Sequence, residues 1–398
     1  MKKILLVTEY FWPEEFIIND FATLVASKGY QLTVLTSQPS YPLGRMASGY
    51  RNKLFSKEIW GQVEIFRLKT ILGYKESIIN KILNYLWFAS FGSLATLFLP
   101  RRYHSVLIYQ VGPLTAAIPG ILYGKIRNVP VSIWTQDVWP DTVYAYGFKQ
   151  TRLLSTFLDG FVRLVYRSVN YIFISCTGFE RVLRRFTKKE MVYTPNWPLS
   201  QFVSDEKFIN REAVPVFLFA GNVGKVQNLE NVIKGFALAL RHQEFKGVLR
   251  IVGDGSALDE LKQLAMEIGV KVDFAGRKPS FLMNEEYNRA SYLVLSLAND
   301  PIFRLTVPSK FQMYLSVGKP ILCAAEGEVR NLVNSLDLGV DSDADSIESI
   351  SKAFIALSNS SEFDRARWQK NAKIAILDAF DREKIVDSVL NSMSAKLL

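Results

Sequence analysis

Three stretches of this chain place glycine and lysine where a phosphate could be held. Residues 216–229 read VFLFAGNVGKVQNL, a strand-like run that ends at Gly221, with Gly224 following before a helical segment. A strand that turns on glycine into a helix aims free backbone N–H groups at an anion. Ordinary tight turns use the same residues, so this stretch decides nothing alone. Residues 251–279, IVGDGSALDELKQLAMEIGVKVDFAGRKP, repeat the arrangement. Gly253 and Gly255 allow a sharp turn at a strand end, and the next strand closes on Phe274, Ala275, Gly276 and Arg277. That too fits a plain α/β turn. Residues 305–324, LTVPSKFQMYLSVGKPILCA, put Val307, Pro308, Ser309 and Lys310 at a helix start. Proline suits the first helical position, which leaves the N–H groups around Ser309 and Lys310 free. Lys310 is a cation where the helix dipole disfavours one. A bound anion such as a diphosphate would explain it; a solvent-exposed lysine is the other reading.

The elements that must carry these stretches follow a β-α-β rhythm. ILLVT (4–8), LTVLT (32–36), VEIFRL (63–68), SVLIYQ (105–110), VSIWTQ (131–136) and YIFIS (171–175) read as strands in the first half. VFLFAGN (216–222), VLRIVGDG (248–255), VKVDFAG (270–276), YLVLSL (292–297) and PILCAA (320–325) do so in the second. Their nearly continuous apolar character is that of strands covered on both faces. Helical stretches intervene: NDFATLVASKGYQ with Gly29 as a C-cap, and SALDELKQLAMEIG with Ser256 as an N-cap. The pattern predicts two doubly wound parallel sheets. Residues 194–215, with three prolines and a polar run, suit a linker between them. The expected domains are 1–198 and 199–378, with a helix at 379–398 returning toward the first. Open α/β sheets bind ligands at their strand carboxyl ends, so two facing sheets would form one cleft.

Composition narrows the function classes. The chain has 398 residues, more than one ordinary core needs. Its two cysteines, Cys176 and Cys323, lie far apart in apolar runs and read as buried free thiols. Two histidines, His104 and His242, cannot build a zinc cluster and leave few candidates for a histidine base. The start, MKKILLVTEYFWPEE, lacks a leader-length apolar core and reads as a first buried strand, which predicts a cytoplasmic protein. Residues 1–200 hold 24 Lys/Arg against 12 Asp/Glu, while the remainder holds 24 against 26. The basic excess lies wholly in the first half and suggests an anionic lipid or a phosphate-rich ligand. No nucleic-acid motif accompanies it, so nucleic acid is not expected as a partner. Residues 82–100, ILNYLWFASFGSLATLFLP, carry no charge and are flanked by Lys75, Lys81, Arg101 and Arg102. At ~1.5 Å per residue the stretch reaches ~28 Å. Spanning a bilayer would split one sheet, which leaves a buried core helix or an in-plane helix on the inner face of the cytoplasmic membrane.

Taken together, the motifs resemble the family 4 retaining glycosyltransferases of the GT-B fold, an α/β architecture of two Rossmann-like domains. V-G-D-G, a leucine-rich helix, V-x-F-x-G and a downstream G-x-P carry the resemblance in the second half. YFWPEE…NDFATLVASKGYQLTVLTSQPSYP and TPNWPLSQF carry it in the first half. GNVGKVQNLENVI and VPSKFQMYLSVG are similar to the subgroup of colanic acid and O-antigen fucosyltransferase-like enzymes.

The resemblance implies a nucleotide sugar on the second domain, a UDP-sugar favoured over a GDP-sugar. It implies a lipid-linked saccharide acceptor on the first domain, no cofactor and no metal requirement. Sugar transfer would retain configuration, with the protein positioning both substrates and stabilising charge on the leaving diphosphate. Several family positions differ here. The usual Glu-x7-Glu pair falls at Leu305 and Met313, so neither the sugar nor the ribose meets the customary carboxylate; Asp300 in the preceding loop is a candidate substitute. The phosphate-binding Arg and Lys fall at Asn222 and Gln227, and Lys225 and Lys310 are the replacements expected. The first-domain His-Asp falls at Gln136-Asp137, which keeps Asp137 as a catalytic candidate on the acceptor side, beside a turn-residue reading. The Gly-Gly loop is replaced by Glu14-Glu15-Phe16, which suits an acceptor pocket instead. Two other functions stay open: a weakly active nucleotide-sugar-binding scaffold subunit, and a GT-B nucleotide-sugar epimerase, for which few acid–base groups are available.

Overall fold

A computed structural model describes residues 2–74, 76–100, 103–145, 148–199 and 214–394. The chain divides into two compact units, residues 1–195 with 382–398, and residues 196–381. Most of the linker expected at 194–215 lies outside the described residues, as do the flanking Lys75, Arg101 and Arg102.

In chain order the first unit runs β1 (Lys3–Val7), α1 (Ile17–Ser27), β2 (Gln31–Ser37), β3 (Phe55–Trp60), β4 (Val63–Leu68), α2 (Ile78–Phe98) and β5 (Ser105–Gln110). It continues with α3 (Ile118–Arg127), β6 (Val131–Thr135), α4 (Asp141–Ala145), α5 (Arg152–Ser168), β7 (Tyr171–Ile174), α6 (Gly178–Leu183) and β8 (Met191–Tyr193). Its eight strands pair in the order β3-β4-β2-β1-β5-β6-β7-β8. β1 lies between β2 and β5 with Val7 opposite Leu35 on one side and Ile108 on the other. That reversal of strand order is the crevice where such sheets take ligands. β5 and β6 are buried along their whole length, as two-sided coverage requires.

The sheet departs from the all-parallel expectation at one edge. β3 runs antiparallel to β4. Its alternating pattern of exposed and half-buried residues is that of an edge strand, and Gly61, at φ 57°, turns the hairpin. β8 is the three-residue strand at the opposite edge. Neither has the apolar run of a central strand.

The second unit is wound the same way. Its elements are β9 (Val216–Ala220), α7 (Leu229–Ala239), β10 (Val248–Val252), α8 (Leu258–Glu267), β11 (Val272–Gly276), α9 (Met283–Arg289) and β12 (Tyr292–Ser296). α10 (Ser309–Val317), β13 (Ile321–Ala324), α11 (Glu328–Ser335), β14 (Gly339–Ser342), α12 (Ile347–Ser358) and α13 (Glu362–Asp378) follow. The sheet order is β11-β10-β9-β12-β13-β14, with every pair parallel. One core lies on each sheet face. Phe217, Phe236, Phe245 and Phe354 dominate one, and Phe311, Tyr314 and Leu315 the other. α8 starts at Leu258 with Ala257 as its N-cap and no side-chain cap, so Ser256 does not cap it. The Ala257 N–H is spent on the Val223 carbonyl instead, which ties the helix start to the neighbouring loop.

α14 (Arg382–Ser394) belongs to the first unit. Lys28 meets Glu383 at 2.7 Å and Asp387 at 2.9 Å, and Arg382 meets Asp20 at 3.4 Å. These pairs are partly solvated, so each contributes only about 0–1 kcal/mol. The larger stabilisation comes from Val386, Val389 and Leu390, which are buried.

Candidate functional site

The carboxyl edge of the second unit is made of glycines. Gly221 follows β9, Gly253 follows β10 and Gly276 ends β11. The three lie in adjacent strands and are joined edge to edge: Gly221 N donates to the Val252 carbonyl, and Gly253 N to that of Gly276. A side chain cannot enter at Gly253 or at Gly255 just beyond it. A Cβ at Gly253, whose φ is 152°, would stand 1.8 Å from the Gly221 oxygen, and one at Gly255 2.3 Å from the Val223 oxygen. Close backbone approach, rather than turn chemistry alone, dictates glycine at these positions.

The loop after β9 is held by its own side chains. Gln227 Oε1 accepts from Gly224 N at 3.0 Å and from Asn222 Nδ2 at 3.3 Å. Ala298 N, just past β12, donates to the Val226 carbonyl at 2.8 Å and ties the neighbouring loop to this one. Asn222 and Gln227 thus shape the loop, while Gly221 and Lys225 are exposed on it. Arg277 is exposed one residue beyond β11.

Lys310 comes to the same edge from α10. Pro308 is the N-cap of that helix, with extended backbone at φ −67° and ψ 143°, one residue earlier than the expected first helical position. Ser309 therefore opens the helix, and Val307 packs against the core. Tyr314, one turn after Lys310, fixes the helix. Its hydroxyl donates to the Val294 carbonyl at 3.1 Å and accepts from Ala220 N at 3.2 Å. The sequence pattern gave no sign of this bridge between β9 and β12. With α10 so held, Lys310 Nζ lies 3.6 Å from the Phe219 ring centroid and 3.3 Å from where a Cβ of Gly221 would be. Nζ is buried and has no hydrogen-bond partner among the described residues. Burial holds its pKa down at about 7. A buried ammonium with only a ring face beside it is costly, so the position favours either the neutral amine or the arrival of an anion.

No carboxylate stands where the resemblance expects two. Met313 is packed against the core below α10. Asp300 is committed to its own turn, with Oδ1 accepting from Ile302 N at 2.9 Å. That bond argues against Asp300 as a ready substitute.

The first unit's carboxyl edge has the opposite chemistry. Glu9, just past β1, is fully buried; Oε1 accepts from Asn84 Nδ2 of α2 at 2.8 Å, and burial pushes its carboxyl up to about 8. Glu14 accepts from the backbone of Ser40 and Tyr41, both at 2.7 Å, and of Phe11 at 3.2 Å, pinning two loops together. The Glu14-Glu15-Phe16 segment is thus a brace for the β1–α1 and β2–β3 loops. Asp137 follows β6, with Oδ1 accepting from Thr142 Oγ1 at 2.5 Å, and burial raises its pKa to about 6. It keeps partial exposure. Sequence reasoning reached Asp137 but not Glu9, whose partner Asn84 lies 75 residues away.

Comparison with known proteins agrees with this architecture. Residues 201–375 match the family model described as Glycosyl transferases group 1. A probable glycosyltransferase of Pseudomonas aeruginosa, WbjE, is 25% identical over 218 residues, 51% of this chain and 53% of that protein. The chain thus spans about half the length of that relative. The putative colanic acid biosynthesis glycosyl transferase WcaI of Escherichia coli K12 is 24% identical over 324 residues, 76% of this chain and 77% of that one. The structure of Anabaena HepE, solved with UDP and glucose, superposes with a TM-score of 0.68 at 14% identity, covering 99% of this chain and 100% of that one. The likeness in fold extends over both units, whereas the family match is confined to residues 201–375; the fold is GT-B, and the stretch similar to the Glycosyl transferases group 1 model lies in the second unit.

Proposed function

We propose that this protein is a retaining glycosyltransferase that moves a sugar from a nucleotide sugar to a polyprenyl-diphosphate-linked saccharide, in the making of a cell-surface polysaccharide such as lipopolysaccharide O-antigen. The family match and both named relatives support sugar transfer. The observation that carries the reading is Lys310: a buried Nζ without a hydrogen-bond partner, set against a rim where glycines expose backbone. A diphosphate would supply the missing counter-charge. Lys225 and Arg277 stand exposed on the same rim, and the first amides of α10, at Ser309 and Lys310, add a favourable dipole. These groups supply the positive charge, so no metal is required. The donor is proposed to be a UDP-sugar rather than a GDP-sugar, in line with HepE, which was solved with UDP.

In the reaction, the bond from the anomeric carbon to the diphosphate oxygen breaks, and the acceptor hydroxyl oxygen bonds that carbon on the same face. The hydroxyl proton passes to the departing phosphate oxygen. Lys310 and the rim amides stabilise the charge that develops there. Asp137, partly exposed and ionised above about pH 6, holds the acceptor hydroxyl in place.

The acceptor's lipid fits a seat at a membrane. α2 turns an apolar side outward, with Leu94, Leu97 and Phe98 exposed at its far end. α5 presents Leu153, Phe157 and Leu164 beside exposed Arg152, Arg163 and Arg167. No described helix is long and apolar enough to cross a membrane. The exposed apolar residues of α2 and α5, with the arginines of α5, support a peripheral seat on the inner face of the cytoplasmic membrane. If the purified protein fails to sediment with anionic liposomes at low salt, the seat is wrong.

The transfer itself is tested with UDP-, GDP- and dTDP-sugars offered with a membrane lipid extract and EDTA. A lipid-borne product of retained configuration is expected; no transfer and no hydrolysis with any donor overturns the reading. Met313, packed into the core where a carboxylate is customary, favours one second reading, a scaffold subunit that binds nucleotide sugar without turnover. Nucleotide binding without turnover, together with a co-purifying transferase, would select it.

A further inference from the structure

α2 has its faces reversed relative to an ordinary surface helix. Its sheet-facing side is Asn84, Phe88, Ala89, Gly92 and Thr96, all buried. Small residues allow close approach: a Cβ at Gly92 would meet Pro119 of α3 at 2.8 Å. Its outward side is apolar, and the most exposed residues of its first turns are Ile78 and Ile79, at 65% and 69%. Ile82, Leu83 and Leu86 extend that strip along the helix.

Between the two sides stands one cation. Lys81 precedes Asn84 by three residues, so both lie on the same side of the helix. Asn84 is fully engaged there. Its Oδ1 accepts from Thr70 Oγ1 at 2.9 Å and from Ile71 N at 2.8 Å, while Nδ2 holds Glu9. Lys81 is half-buried, and its charge acts on both Glu9 and Asp137. It therefore stands between the carboxyl edge of the sheet and the exposed strip, with Ile78 three residues before it on the same side. An apolar chain alone would meet the isoleucines and leave the cation unused. A single lipid carrying an anion at its head would meet both.

We propose that the first two turns of α2 bind the diphosphate of a polyprenyl-diphosphate lipid, with Lys81 taking the phosphate charge and Ile78, Ile79 and Ile82 the first isoprene units. This rests on the transferase reading and gives it an acceptor subsite. The saccharide beyond the diphosphate would then reach toward Asp137. Glu9 keeps its proton at neutral pH, so Asp137 is the acidic neighbour of Lys81 that is ionised there. A diphosphate carries more charge than that one carboxylate and competes for the ammonium.

Farnesyl diphosphate, used below its micellar range and without donor, is the probe. The full chain should bind it more tightly than inorganic pyrophosphate or farnesol. Lys81→Gln should weaken it by about tenfold or more, and Ile79→Ser by a smaller factor, with UDP affinity within about twofold of the original in both. Ile79 is exposed, so its replacement leaves the core intact even if Lys81→Gln proves unstable. The proposal is overturned if the wild-type chain does not bind farnesyl diphosphate, if farnesol binds equally well, or if neither substitution matters. The measurement needs no turnover, so its failure is separate from a failure of nucleotide-sugar transfer.

Discussion

The two sheets share a winding rule and end in opposite chemistry. The second unit closes its carboxyl edge with glycine and one buried lysine; the first closes its edge with buried carboxyl groups held by amides. The contrast suits the two edges to different chemistry. Glycine lets backbone approach backbone and an anion approach both. Buried acids with raised pKa values handle hydroxyls and protons instead. The fold supplies the two edges, and a handful of side chains divides the work between them.

The sharpest way to break the contrast is to put a side chain on the glycine edge. Gly253→Ala forces a Cβ to 1.8 Å from a backbone oxygen, at a φ that alanine resists. Overpacking and backbone strain together should cost about 3 kcal/mol or more, read from urea denaturation. Gly112, past β5 in the first unit, has nothing within 4 Å of its Cβ position. Alanine there should cost only the strain of its positive φ, about 1–2 kcal/mol. Equal losses at the two sites would show that close approach does not define the second edge.

Next comes Lys310→Met. UDP affinity by calorimetry should fall about 10–100-fold, the worth of a charge-assisted hydrogen bond to a phosphate. Folding stability should hold or rise, because an ammonium without a hydrogen bond leaves the interior. Unchanged affinity would remove Lys310 from the donor site. On the other edge, Asp137→Asn should lower transfer more than donor binding and flatten the rise of activity with pH through about 6. Equal loss of both would make Asp137 a donor ligand or a structural residue.

A smaller effect is expected from the bridge that holds Lys310. Tyr314→Phe leaves Ala220 N without its acceptor and frees the Val294 carbonyl. That should cost about 1–3 kcal/mol in stability. UDP binding should weaken less than in Lys310→Met, since the lysine remains but its helix loosens.

What could be read from the sequence follows from what is local. Central strands announce themselves as apolar runs, and the glycines and Lys310 sit in recognisable strand-turn-helix contexts. β3, β8 and β14 do not, being edge or very short strands whose burial is partial. Pro308 was displaced by one residue and α2 by four, since helix ends depend on capping contacts. Ser77, which caps α2 by accepting from Asn80 N, carried the local signal for the earlier start. Tyr314, Asn84 and Glu9 were illegible for a different reason. Each acts through a partner far along the chain, and nothing in residue type or spacing names that partner.

The subtlest test uses protons, because the two edges should respond to pH with opposite sign. Glu9 has its pKa raised from 4.5 to about 8. Between those values the folded chain binds more protons than the unfolded one, so stability falls as pH rises across that window. Lys310 has its pKa lowered from 10.5 to about 7. Between these values the unfolded chain binds more protons, so stability rises with pH above about 7. The difference in Tm between wild type and Glu9→Gln should therefore move against the wild type from pH 5 to about 8. The difference between wild type and Lys310→Met should move in its favour from about pH 7 to 9. UDP should erase the second trend: the bound diphosphate keeps Lys310 protonated, so binding near pH 8 should take up a proton, seen as a dependence of calorimetric heat on buffer ionisation. Parallel trends for the two variants, or heats independent of buffer, would mean that the two edges do not differ in the way their buried groups imply.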